Sequence, residues 1–455
     1  MKNRGQITVY LCLVINVMLL LGLTSLEGIR IYMGRGKVER SAIGAANSIM
    51  ADYNSELFRR YHLLLIDTAY GGRGEAYMEE RMEEYLDYNL NSSANIFNNT
   101  SSYYEFDIND VALVAKVGIL DDNMSVFKYQ IDEYIKTYGI KDITEMIIEK
   151  TKDTKESKIS KEENGGINVE PLIDNFIDPR EMVALKLSSS MLDEVLPAGE
   201  EVSKEEVDLS KTPSKVYKDY EEENSIISPD FQHLEEVEKI MDRDKVINQL
   251  SNKGADEIKA YLYALNCFSS MTNPAEEETV FDYELEYILC GKSSDYKNLE
   301  EVAKKLLMIR YPIQFKDIQT NETKKSSALV LATAISAVTT TEVAIETYQK
   351  IILAAWAFLD AIADVKKLMA GDKIDNLSYE EYLLILMSLE LNQDKKYYRM
   401  LDIMQLNMQI SEKDFYIKNC ATAIQISGDI GFNPLFKLSS NEDNYHYYFE
   451  EERSY

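Results

Sequence analysis

A chain of 455 residues is long enough to bury a sizeable core in two or three domains. Hydrophobic residues make up 45% and charged residues 28%, the balance of a folded protein and not of a disordered one. Acidic residues outnumber basic ones by 78 to 49, and a net charge of −29 excludes nucleic acid as a partner and directs membrane contact to insertion, away from flat docking on anionic lipid.

From Ile7 to Leu26 the chain carries no charge, and only Thr8, Asn16, Thr24 and Ser25 are distinctly polar. As a helix this stretch spans about 30 Å, the thickness of a hydrocarbon core. A cleaved signal would have a shorter apolar run and a small-x-small site, whereas this one passes into Glu27, Ile29 and Arg30. A retained single-pass anchor over residues 1–36 is the better reading. Lys2 and Arg4 lie on one side of it and Arg30, Arg35, Lys37 and Arg40 on the other, so charge alone would put the remainder in the cytoplasm. Beyond the anchor, Ile31, Val38, Ile43, Ala46, Ile49, Met50, Tyr53, Leu57 and Tyr61 recur at threes and fours. That spacing predicts one amphipathic rod continuing to about Arg60.

The opening RGQITVYL ahead of an apolar helix resembles the minor pilins of the tight-adherence (Tad, Flp-type) pilus, the TadE and TadG-like proteins. The resemblance implies a prepilin-peptidase cut between Gly5 and Gln6. Where that family usually has Glu five residues after the cut, this chain has Tyr10. A second set of stretches, EYILCGKSSDYKNL, ILAAWAFLDAIADVKKLMAGDK and KKYYRMLDIMQLNM, resembles an uncharacterised domain of Gram-positive bacteria associated with Tad-type pilus genes. This implies a cell-envelope setting and no reaction.

Met78 to Leu90 reads as a helix, Asn91 to Ser102 as a polar loop, Val111 to Val117 as a strand and Val126 to Tyr138 as a helix, completing a pilin-like region over 37–148. The strand would pack on the rod's apolar stripe. Residues 149–230 are rich in charge (KTKDTKESKISKEENGG, EEVSKEEVDLSKTPSK) and read as linker, with a short helix near Pro179 to Val195. The remainder, 231–455, is mainly helical. Helices are expected over Leu234 to Cys267, Leu299 to Arg310 (capped by Asp295), Ala328 to Val338, Ile345 to Met369, Tyr379 to Leu391 and Tyr397 to Met408. Strands are expected over Phe281 to Leu289, Phe415 to Ile426 and Tyr445 to Glu450. Glu342, Glu346, Lys350, Asp360 and Asp364 interrupt the apolar helices too often for further membrane spans. The expected class is α+β: a long N-terminal membrane or pilin-like helix packed on a small antiparallel sheet, with a mainly helical ectodomain.

Motifs for chemistry are sparse. His62, His233 and His446 lack metal-ligand spacing, and Gly71 to Gly74 (GGRG) reads as a turn with no phosphate cradle around it. Asp121, Asp122 and Asn123 lack the spaced ligands of a calcium loop. Glu276 and Glu278 are one acidic pair among many. Cys420 with His446 is the only conceivable nucleophile–base combination, and nothing in the sequence brings them together. Of Cys12, Cys267, Cys290 and Cys420, the last three could form at most one bridge. No catalytic, cofactor or metal residues, no cofactor and no small-molecule substrate are therefore expected. The leading expectation is a non-enzymatic, membrane-anchored pseudopilin with an extracellular head, whose partners are the membrane and other pilin-like or pilus-assembly proteins. The alternative is a membrane-anchored extracellular enzyme or binding protein with an unrecognised site.

Overall fold

The structure, a computed structural model, describes residues 4–91, 106–138, 192–197, 201–217, 255–338, 344–389, 394–433 and 445–455. The polar loop after Asn91, most of the linker, the first part of the Pro179 to Val195 helix, the Leu234 helix before Ala255, Glu342, Leu391 and His233 lie outside the described residues. The chain divides into two compact units, the first being Met1–Phe127 with Glu412–Tyr455 and the second Lys128–Ser411.

The first unit is built on helix α1, Arg4–Ala51, about 72 Å long. Leu26 and the apolar residues before it are largely exposed, whereas Val38, Ala42, Ala45, Ala46, Ile49 and Met50 are buried. The buried stripe differs in detail from the one read from spacing, since Ile43 and Tyr53 are exposed and Ala42 and Ala45 take their places. Nor does the rod continue to Arg60. It stops at Ala51 and restarts as α2, Ser55–Tyr61, where the Asn54 side chain accepts from the amides of Glu56 and Leu57 and caps the new helix. After the two-residue strand β1, Ile66–Asp67, helix α3, Glu75–Asn91, turns Met78, Met82, Leu86 and Leu90 onto the α1 stripe. The approach is close: a Cβ on Gly44 would lie 3.2 Å from the Asn89 side-chain amide.

Strand β2, Phe106–Gly118, pairs antiparallel with β3, Cys420–Phe432, from the far end of the chain. The opposite edge of β3 holds β1 at Ala421 and then β4, Tyr445–Ser454. Ile424, Ile426, Ile430 and Phe432 of β3 join Phe106 and the α1 and α3 residues in one core. Strand β4 runs beside α1 in register. The Tyr447 hydroxyl donates to the Ile31 carbonyl and that of Tyr455 to the Met50 carbonyl. Between those points the strand advances about 26 Å and the helix about 28 Å, so one straight interface serves both. The α+β class, the long apolar N-terminal helix and the small antiparallel sheet are as expected. The C-terminal strands belong to the sheet of the N-terminal unit.

In the second unit the longer described helices are α4 (Asp121–Tyr138, entered from the first unit), α5 (Ala255–Cys267), α6 (Glu284–Cys290), α7 (Asp295–Thr320), α8 (Glu322–Val338), α9 (Ile345–Met369), α10 (Tyr379–Leu389) and α11 (Asp394–Ser411), with single turns at Leu192–Val195 and Pro213–Val216 between α4 and α5. The strand expected at Phe281 to Leu289 is α6 instead. Its alternation of apolar and acidic residues imitates a half-exposed strand, yet Glu284 to Leu289 are all buried because the acids find partners inside. Helix α7 does not end at Arg310 but continues through Pro312 to Thr320, and its cap is Ser294, whose hydroxyl accepts from the Lys297 amide. Residues 201–217, read as linker, lie against the unit. Leu209, Thr212 and Pro213 are buried, the Val207 amide donates to the Ser293 carbonyl, and the Tyr296 amide donates to that of Ser203.

Candidate functional site

Two places combine unusual burial with chemistry-bearing groups. The first is where the exposed apolar stretch of α1 gives way to the part packed in the first unit. Among the described residues one helix, Ile7–Ala51, is long and apolar enough to cross a membrane. Just beyond its charge-free run, Arg30 turns inward. Its guanidinium lies 3.6 Å from the Glu27 carboxylate, 4.4 Å above the centre of the Phe432 ring, and donates to the Asn433 carbonyl at 2.9 Å. Lys37 donates to the carbonyl of Leu90 and lies 5.3 Å from the Phe106 ring centre. The stretch of α1 just beyond its apolar run is thereby fastened to the rest of the unit by cations that the sequence offered only as a charge count.

The second place surrounds α6. Glu284 accepts from the Asn407 side chain at 2.6 Å and from the Ser269 amide at 2.8 Å. Glu286 accepts from the Met271 amide and the Tyr379 hydroxyl through Oε1, while its Oε2 is buried and has no hydrogen-bond partner among the described residues. Burial pushes Glu286 up to about 7 and, with opposition from two backbone amides, Asp295 up to about 6. On α11 the buried Asp402 accepts from the Ser214 amide and the Tyr287 hydroxyl, both at 2.8 Å, and burial raises it as well. Arg399 closes the helix by donating to the carbonyls of Ile288 and Leu289 at its C-terminus. Gly291 follows with φ 66°, and a Cβ there would meet the Arg399 guanidinium at 2.5 Å. These groups fasten α6 to α10, α11 and the 201–217 segment. Carboxylates are so frequent in this sequence that none of them stood apart. The available signal was a Glu-x-Glu pair inside an apolar run ending in Gly291.

The raised acids fix the sign of a pH dependence. Below about pH 4.5 Glu286 is neutral folded or unfolded; between there and about 7 only the folded chain keeps the proton, so stability falls as pH rises through that window. The cost is fully expressed above pH 7, at roughly 3 kcal/mol. Glu286→Gln is expected to shrink the stability difference between pH 5 and pH 8 by roughly 2–3 kcal/mol, read from denaturant unfolding followed by the single Trp356. Asp295 and Asp402 keep a residual slope of the same sign. An unchanged slope in the variant would mean that Glu286 stays ionised in the fold.

The family described as "Family of unknown function (DUF5702)" matches residues 174–377 and 375–432, more than half of the chain. The chain belongs to this family. Its matched stretch holds α5 to α11 and the whole of β3, including the α6 acids, but neither α1 nor β2. No curated protein and no solved structure matches the chain. The resemblance read from Tyr283 to Gln409 thus falls on a family without assigned chemistry, and the match does not extend to the RGQITVYL opening.

The remaining predicted residues are scattered by the fold. Gly5 and Gln6 lie in the first turns of α1, and Tyr10 on it is exposed. Cys420 and His446 are at opposite ends of β3, since His446 pairs with Gly431, about 36 Å along the strand from Cys420. The Cys420 thiol is buried and pushed well up, and His446 instead sits 2.9 Å from Asp429. None of the four cysteines is in a disulfide. The GGRG stretch forms a turn on Asp67, which accepts from the Gly71 amide, and Gly72 (φ 90°) leaves room for Asp414, whose Cβ would lie 2.6 Å from an added Cβ. Asp121 accepts from the Gly118 amide at the strand-to-helix corner.

Proposed function

We propose that the chain is a non-enzymatic, membrane-anchored structural component, a pilin-like protein of a Tad-type pilus or secretion apparatus, with its head outside the cell. One observation carries this reading: α1 is a single helix whose first half is apolar and exposed and whose second half is the centre of a folded head. Such an arrangement transmits the position of the anchor rigidly to the head, which a tethered enzyme does not need. Two of the four cations that argue against an extracellular head, Arg30 and Lys37, are occupied by Glu27, Asn433 and Leu90, so they serve the fold as well as the charge balance. The RGQITVYL opening supports processing between Gly5 and Gln6.

In cells that carry the apparatus, mass spectrometry of the N-terminal peptide should find Gln6 as the first residue and the uncut leader when the prepilin peptidase is inactivated. Deletion of the chain should abolish surface fibres, and restoring it with Ile7–Leu26 replaced by a cleavable signal should not bring them back. Rescue by the secreted, unanchored head would overturn the proposal.

A further inference from the structure

The exposed apolar surface of α1 does not end with its charge-free run. Ile29, Tyr32 and Met33 are 61%, 80% and 57% exposed, while Glu27, Arg30 and Ile31 on the other side of the same turns are held against the sheet. The head therefore begins beside residue 27, with no stalk between it and the apolar run. Heights along α1 can be read from its contacts with β4. Tyr447 marks the level of Ile31. Tyr445, two strand residues further back, lies about 7 Å nearer the anchor, at the level of Glu27. Its ring packs 5.6 Å from Phe432, the ring on which Arg30 rests.

If Ile7–Leu26 fills a hydrocarbon core of about 30 Å, the polar layer beyond it is about 5–8 Å deep, which covers residues 27–31 of the helix and the Phe432–Tyr445 end of the sheet, and the side chains of Tyr32 and Met33 reach back into it because helical side chains lean toward the N-terminus. Tyrosine is suited to that layer, with an apolar ring and a polar tip. Among the described residues the local cations are committed elsewhere: Arg30 and Lys37 inward, and Arg35 to Glu39 at 2.9 Å. None of the described residues at this end is therefore an uncommitted cation that would select anionic headgroups. We propose that Ile29, Tyr32 and Met33 of α1, with Tyr445 of β4, form a membrane-contact surface that seats the head directly among the headgroups of neutral phospholipid. The proposal rests on α1 being a membrane anchor and adds where the head stands relative to the bilayer.

The test is spin labelling of the full chain in nanodiscs of phosphatidylcholine, on a Cys12→Ser background, at Leu19→Cys, Tyr32→Cys, Tyr445→Cys and Glu452→Cys. Collisions with oxygen, which concentrates in lipid, and with an aqueous nickel chelate give the depth of each label. Labels at 32 and 445 are expected to show a severalfold lower nickel accessibility and higher oxygen accessibility than the label at 452, and no change when anionic lipid is added. Tyr32 is the more exposed position and reports even if the Tyr445 variant disturbs the sheet. A lipid-protected label at 19 with water-like labels at 32 and 445 would overturn the seat and leave the anchor standing. A water-like label at 19 would overturn the anchor itself. Labels at 32 and 445 shielded from both reagents would mean that protein, such as a second copy, covers this end. Contact only in anionic lipid would overturn the neutral chemistry.

Discussion

Replacing Ile49 by Asp should cost the first unit roughly 4 kcal/mol or more, the sum of a lost buried side chain and an unpaired buried charge. Ile49 is fully buried among the apolar residues of α1, α3 and β3. Leu57→Asp should behave alike, since Leu57 is equally buried on α2. For a unit of this size the loss corresponds to a fall in melting temperature of roughly 10 °C. Hydrogen exchange of the Cys420–Phe432 peptide in detergent-solubilised full chain would locate it, because β3 crosses the same core. Asn47→Asp and Asn54→Asp are the controls. Asn47 accepts from Arg453 at the surface, which an Asp does at least as well. Asn54 caps α2, and Asp is an equally good cap. Equal, small effects at all four positions would mean that α1 and α2 hang free of the sheet, and the proposed rigid coupling of an anchor to the folded unit would fail.

A loss of about 3–5 kcal/mol is expected in the second unit from Arg310→Ala. The Arg310 side chain is 2% exposed and donates through Nη2 to Asp364 at 2.7 Å, through Nη1 to the Tyr382 hydroxyl at 3.1 Å, and to Asp375. It thus ties α7 to α9 and α10 and to the Asp375 turn. Its removal leaves the largely buried Asp364, 13% exposed, with the Gln314 amide as its remaining side-chain donor among the described residues. Trp356, on the same helix as Asp364, reports the unfolding directly. The double change Arg310→Met with Asp364→Leu should recover most of the loss, since the penalty lies in the stranded charge and not in the missing attraction. Lys324→Ala, which breaks the more exposed pair with Asp360, should cost no more than about 1 kcal/mol. If Arg310→Ala matched Lys324→Ala, the buried network would be irrelevant to stability.

The apolar run of Ile7 to Leu26, the stripe around Ile49 and the Ile345–Met369 helix were decided by sequence alone, because periodicity and length report directly which surfaces must leave water. The α+β class and the existence of strands at both ends of the chain followed from the same signal. The partner of each strand did not, since nothing local to Val111 or Ile424 encodes a register between residues more than three hundred apart. Local pattern also failed wherever polar groups go inside. Residues 201–217 looked too charged to pack, yet backbone bonds to Ser293 and to the Asp402 carboxylate secure them. In α6, Glu284 and Glu286 imitated the wet face of a strand because a carboxylate reads as exposed until its donors, here Asn407, Ser269, Met271 and Tyr379, are known. Arg30 was legible only as a charge beside a membrane; the Phe432 ring and Asn433 carbonyl that turn it into a clamp arrive some four hundred residues later. Hydrophobic spacing is a property of neighbours in the chain, whereas the satisfaction of a buried charge is a property of neighbours in space, and only the tertiary structure supplies those.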